Sequence, residues 1–311
     1  MTSDPALELV AKDQKRWSAT ANNLKHVVDR SRLAVLTLAI AGAALETLGA
    51  QIHLSLPDEA VFVGYLGAAS LAVVGAIKQW KLSRDRTQAW IVSRSASEAF
   101  KREMYLYRTS SGPYSSDSPS RVLLDRREQI LAKANTVQRY AVDPDYSDLK
   151  IPGPLDPVGY IAERVRGQVD WFRERAARAT KIENFLDLAQ FVLAVVGTLL
   201  GAALTMTGKQ AYGAWVAVIT TVIAALAAHA AAQRYEQLVV TYRATADRLQ
   251  GLAARFQSAK GDPRELIERC EAILLEENQG WIAGANEMMK DSDGGTDRTS
   301  QKDSPGSKAG R

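Results

Sequence analysis

Apolar residues fall into four long blocks, residues 33–54, 60–77, 188–208 and 211–232, which are 22, 18, 21 and 22 residues long. The first holds a single carboxylate, Glu46, the second and third hold no charge, and the fourth holds only His229. A helix rises about 1.5 Å per residue and the hydrocarbon layer of a bilayer is about 30 Å thick, so roughly 20 residues suffice to cross. Each block therefore predicts a membrane span, and the short polar breaks at 55–59 and 209–210 predict two hairpins. A large soluble bundle with four buried helices is the competing reading, kept open by the alanine-rich last block.

The flanking charges favour the membrane. Lys12, Lys15, Arg16, Lys25, Arg30 and Arg32 precede the first block, and Lys78, Lys81, Arg84 and Arg86 follow the second, while the turn between has neither Lys nor Arg. The second pair repeats this: Arg164, Arg166, Arg173, Arg175, Arg178 and Lys181 come before it, Arg234, Arg243 and Arg248 after it, and its turn holds only Lys209. Positive charge resists translocation, which predicts cytoplasmic termini, a cytoplasmic central segment and two turns on the outer face of the membrane. The first 30 residues are too charged to contain the apolar core of a cleavable signal peptide.

The two pairs also resemble each other in sequence. Gln14-Lys15-Arg16-Trp17 aligns with Gln168-Val169-Asp170-Trp171, and Leu38-Ala39-Ile40-Ala41-Gly42 with Leu193-Ala194-Val195-Val196-Gly197. Trp and Gly are 25 residues apart in one copy and 26 in the other. Past the second span of each copy, Arg94-x-x-x-Glu98-x-Phe100 matches Arg243-x-x-x-Asp247-x-Leu249. The expected fold is all-α, an integral membrane protein of four spans in two tandem hairpins with long cytoplasmic helices. Its expected parts are a first two-span unit at 8–109, a linker at 110–157 with one short helix, a second unit at 158–258, an amphipathic helix at 262–289 and a disordered tail at 290–311.

Within the linker, Ser120 is expected to cap a helix that shows Leu123, Ile130, Leu131, Ala134 and Val137 on one face. Pro144, Pro152, Pro154 and Pro157 then forbid a long helix. Asp262-Pro263-Arg264-Glu265 reads as a capped start followed by an apolar stripe of Leu266, Cys270, Ile273, Leu274 and Trp281. The Gly, Ser, Asp and Lys composition of the tail buries too little surface to fold.

This pattern resembles the SLATT family, two-transmembrane effector domains found beside nucleotide-sensing and nucleotide-making proteins in bacterial conflict systems. The resemblance covers about residues 8–109 and 158–258, as a tandem of two such domains, and rests on Trp17, Trp171, the short-turned hairpins and the Arg94/Glu98 and Arg243/Asp247 pairs. It implies a defence effector that oligomerises and permeabilises the membrane on an intracellular signal such as a nucleotide, with a nucleotide-signalling sensor protein as a partner. The alternative is a non-conducting scaffold or signal receiver whose spans only anchor its cytoplasmic helices. A small transporter fits less well, because parallel repeats lack the broken, charged midplane helices that transporters use.

Individual residues give narrower expectations. Small residues let helix backbones approach in lipid, where no hydrophobic force separates helix from solvent. Gly64, Ala68 and Ala72 lie four apart on the second span, and Gly197 and Gly201 form a GxxxG on the third; each set marks either an oligomer seam or packing within its own hairpin. Glu46, at roughly 2.5–3.5 kcal/mol for an ionisable group at membrane depth, faces a pore, another subunit or the outer interface. Its aligned partner is Gly201, so the hairpins differ there. Arg94/Glu98 and Arg243/Asp247 are i,i+4 pairs that either fix a helix against a neighbour or stand solvated. Trp17 and Trp171 are candidate headgroup anchors, or else contacts between cytoplasmic helices.

Composition closes other routes. The 311 residues contain one cysteine and three histidines, too few for a disulfide framework or a Cys/His metal site, and no cofactor is expected. No phosphate-binding loop, nucleophile elbow, HExxH or dinucleotide fingerprint is present, so no enzyme is expected. The net charge of +4 is spent flanking the spans, which leaves membrane lipid rather than nucleic acid as the partner.

Overall fold

The computed structural model describes residues 4–53, 55–259 and 261–300, and every regular element among these is helical. Asp4 starts α1 (Pro5–Ile52) by accepting a hydrogen bond from the Ala6 amide at 2.8 Å, with Pro5 in the first turn, where its missing N–H costs nothing. Neither proline nor glycine then interrupts the chain before Gly42, so one helix of 48 residues, about 72 Å long, carries both the charged leading segment and the first span. Its buried residues, Leu7, Val10, Trp17, Leu24 and Val28, keep helical spacing up to the boundary near Leu33, beyond which the helix is largely apolar and Glu46 is its one charged residue.

The Ile52 carbonyl accepts from the amides of Ser55 and Leu56, turning the chain into α2 (Pro57–Trp80), and a break at 81–83 separates α2 from α3 (Arg84–Arg108). The linker contains more helix than one short element: a 3-10 turn at Gly112–Ser115, then α4 (Pro119–Ala134), then a second 3-10 turn at Asn135–Tyr140. Ser118, not Ser120, precedes α4, because Pro119 takes the first helical position; the Ser120 hydroxyl instead donates to Asp4 at 3.1 Å. The proline-rich stretch that follows is non-helical through Asp156, as its spacing predicts.

The second copy begins with α5 (Pro157–Tyr160), one π-helical turn (Ile161–Val165) and α6 (Arg166–Thr207), which together form a continuous helix into the third span. Gly208, at φ +65°, ends α6 in the left-handed conformation that glycine adopts without strain. There follow α7 (Gln210–Gln233), α8 (Tyr235–Ala259) and α9 (Pro263–Ser300), with Arg234 at φ +50° breaking α7 from α8 where the apolar block ends. The α9 backbone is helical to Ser300, past residue 289, where the sequence placed the start of the tail; residues 301–311 lie outside the described residues.

Among the described residues, four helices are long and apolar enough to cross a membrane, and at most 11% of the most apolar 18-residue stretch of any of them is buried within the chain. A soluble bundle would bury those stretches. They are instead the outer surface of two hairpins, α1/α2 and α6/α7, which meet where α1 packs on α7 and where Gln51 Nε2 donates to the Ala211 carbonyl at 3.4 Å. The polar segments of both copies and the linker share one apolar core that includes Val10, Trp17, Phe100, Leu123, Tyr160, Phe172, Leu249 and Ile267. A common core at one end of all four spans requires the hairpins to point the same way, as parallel repeats.

Candidate functional site

Within the membrane segment the first hairpin has the closest backbone approach. A Cβ placed on Gly67 would lie 2.6 Å from Glu46 Cγ and 3.0 Å from both the Glu46 amide nitrogen and the Gly42 carbonyl oxygen. One on Gly49 would lie 3.0 Å from the Ala60 carbonyl, and one on Gly42 3.0 Å from Leu71 Cδ2. Glycines at 42, 49 and 67 thus let α1 and α2 touch through backbone, the form of contact that lipid leaves available to helices. Glu46 runs along this seam beside Gly67 and remains exposed at the surface of the hairpin.

The small residues singled out from the sequence sort differently. A Cβ on Gly64 would meet nothing within 4 Å, and Ala68 and Ala72 are exposed, so the side-chain positions of this stripe point away from α1, although the Gly64 backbone nitrogen lies 3.2 Å from a Cβ placed on Gly49. Gly197 faces Ile219 of α7, 3.3 Å from an added Cβ, whereas Gly201 faces open space. Sequence reasoning missed Gly49 and Gly67. Their signal was present in the 4–3–4 spacing of Ala60, Gly64, Gly67 and Leu71 opposite Gly42 and Gly49.

Trp17 is not a headgroup anchor. It is fully buried in the apolar core of the helical base, 16 residues and so about 24 Å short of Leu33 along an unbroken helix. Trp171 is likewise a bundle contact, its ring 5.0 Å from Phe172 and 5.7 Å from Tyr242, with the Arg175 guanidinium over it at 5.3 Å. The paired charges reach across helices. Asp247 lies 3.5 Å from Arg173 of α6 while Arg243 stays exposed, and Arg94 lays its guanidinium 4.2 Å above the Trp281 ring of α9. Arg94 and Glu98 both act electrostatically on Glu277, whose carboxyl is pushed up first by burial and then by Glu98, against the pull of Arg94.

Beneath these lies a buried ionic network that joins α9 to the π turn. Arg164 Nε donates to Glu271 Oε1 at 3.0 Å and Nη2 to Oε2 at 3.2 Å; the Tyr160 hydroxyl donates to Oε1 at 2.9 Å. The Arg164 and Glu271 side chains are 3% and 0% exposed. Burial alone would depress Arg164, but the Glu271 charge and its hydrogen bonds outweigh it and hold the guanidinium charged, 4.7 Å above the Tyr105 ring. Burial, then Glu271, drives Tyr160 well above the usual phenol range. One residue earlier, Glu163 accepts from Arg108 at 2.7 and 3.0 Å and from Tyr105 at 3.1 Å, and the Arg108 bonds hold its carboxyl below the ordinary glutamate value. The wider π turn directs these adjacent residues to different helices.

Glu277 gives a direct test of this electrostatic arrangement. Its folded pKa is raised, so the folded state favours the protonated form; the resulting penalty is absent below the unfolded glutamate pKa near 4.5 and complete once pH exceeds the folded value. Glu277→Gln is expected to raise thermal stability at pH 7.5 and to leave it nearly unchanged at pH 4, measured by unfolding the detergent-solubilised chain at both pH values.

Comparison with known families agrees with the two-copy architecture. Residues 160–281 match the SMODS and SLOG-associating 2TM effector domain 1, and residues 15–121 match a family described as a protein of unknown function, DUF4231. The first of these matches extends through α8 into α9 and takes in Arg164, Glu271 and Trp281. No curated protein and no solved structure compared with the chain matches it. With two parallel two-span hairpins on a common helical base, the chain is a membrane protein whose second half carries a SLATT-type two-transmembrane effector domain, an arrangement consistent with a tandem of such units.

Proposed function

We propose that the protein is a membrane effector of bacterial defence, resident in the inner membrane with both termini in the cytoplasm, which assembles into homo-oligomers and permeabilises the bilayer when an intracellular signal arrives. Glu46 carries this reading. A carboxylate at membrane depth costs roughly 2.5–3.5 kcal/mol unless it faces water or a partner, and Glu46 is exposed on the outside of a single chain's hairpin. Assembly of several copies would give it an aqueous or protein surround. Gly64, Ala68, Ala72 and Gly201, which face outward, would supply the close contacts between copies. The heavily basic flanks on the bundle side support the orientation.

Induced expression with a potential-sensitive dye tests the proposal. The wild type is expected to depolarise cells and arrest growth; Gly201→Leu, which fills open space without touching its own hairpin, and Glu46→Ala are expected to restore the potential at equal protein level. An unchanged potential with the wild type, under overexpression and phage challenge alike, would replace this reading with that of a non-conducting scaffold.

A further inference from the structure

A groove of about 600 Å³ opens between α8 and α9, and a second hollow of about 280 Å³ continues it toward α6; the two meet at Asp247. The larger lies in the size range of small-molecule sites. Arg248 and Arg255 of α8 and Arg269 of α9 line it, and Arg173 and Arg243 line the extension. Among the described residues only two carboxylates line the groove with these five guanidinium groups, and both are engaged: Asp247 is 3.5 Å from Arg173, and Glu276 is 2.7 Å from Arg248. Glu265 holds Arg269 at 2.6 Å. Arg243 and Arg255 are left without an ion-pair partner among the described residues.

These two arginines stand on one stripe of α8 with Asp247 and Gly251 between them, each four residues from the next. An added Cβ on Gly251 would meet nothing within 4 Å, so bare helix backbone forms the floor, bordered by Leu252 and Ile273. A flat aliphatic floor between separated guanidinium groups offers apolar contact together with charge-assisted hydrogen bonds, which suits a phosphorylated compound of some length. Lipid headgroups are out of reach of its far end: Arg255 is 23 residues past Ala232, the end of the apolar block, or about 35 Å along the helix.

We propose that this groove binds a soluble polyphosphorylated small molecule of nucleotide size. The proposal rests on the function given above only for the consequence of binding. Since α6 runs unbroken into the third span and α8 joins the fourth at Arg234, a ligand held between α6, α8 and α9 acts on both spans of the second hairpin.

Titration calorimetry of the full chain in zwitterionic nanodiscs, with ATP and with inorganic tripolyphosphate, is the test. Saturable binding of at least one probe is expected, weakened about tenfold or more by Arg255→Glu, by Arg243→Glu and by Gly251→Leu. Arg121→Glu, an exposed charge reversal on α4, is expected to leave it unchanged. The proposal is overturned if neither probe binds, if the groove substitutions have no effect, if Arg121→Glu weakens binding equally, or if anionic lipid vesicles displace the probe. Binding without depolarisation in cells would keep the groove and overturn the permeabilising role; depolarisation without binding would do the reverse.

Discussion

Glu271→Ala is expected to destabilise the helical bundle by about 3–5 kcal/mol, the scale for removing one member of a buried ion pair. The substitution leaves the Arg164 guanidinium, 3% exposed, without its ion-pair partner and deprives the Tyr160 hydroxyl of its acceptor. Removing both charges is different, because both desolvation penalties vanish together: Arg164→Met with Glu271→Leu should unfold within about 1–2 kcal/mol of the wild type. Denaturant titration of the solubilised chain, followed by the fluorescence of buried Trp17, distinguishes these cases. A single-variant loss below about 1 kcal/mol would mean that water reaches the pair and that α9 is not fixed to the π turn as described.

The second large effect is expected in the membrane. Gly67→Ala should destabilise the first hairpin by about 1–3 kcal/mol, while Gly64→Ala, three residues away, should be neutral. The difference arises at Cβ itself. At position 67 that atom would press on Glu46 Cγ at 2.6 Å and on α1 backbone at 3.0 Å; at position 64 it meets open space. Thermal unfolding in detergent, or the yield of an engineered disulfide between α1 and α2, separates the two variants. Equal sensitivity at both positions would show that the hairpin is packed in another register.

The residues that were readable in advance are those whose environment leaves a mark on composition. Lipid demands about 20 apolar residues in a row, so the four spans announced themselves, and Trp17/Trp171 and Gly42/Gly197 marked the repeat. Inside those blocks the same uniformity erased the helical period. With nearly every face apolar, nothing distinguished Gly67, whose Cβ position points into α1, from Gly64, whose Cβ position points away from it. Trp17 was ambiguous for a different reason: its location depends on α1 running unbroken for 48 residues, which only the structure establishes. The ionic network was hidden because Arg164 and Glu271 look like ordinary surface charges and are 107 residues apart. The one local hint was Glu271 beside Cys270 in an otherwise apolar stripe.

Whether the four apolar helices cross lipid as two hairpins pointing the same way can be measured with a membrane-impermeant maleimide and single cysteines at Asp58, Lys209 and Ser115. The natural Cys270 should stay silent, since it is fully buried and its thiol is pushed up to about 12, by burial first and Glu271 next. In intact spheroplasts the Asp58→Cys and Lys209→Cys proteins should both label, and Ser115→Cys only after the membrane is opened. Labelling of one turn but not the other, or of Ser115→Cys in sealed spheroplasts, would contradict the parallel two-hairpin arrangement.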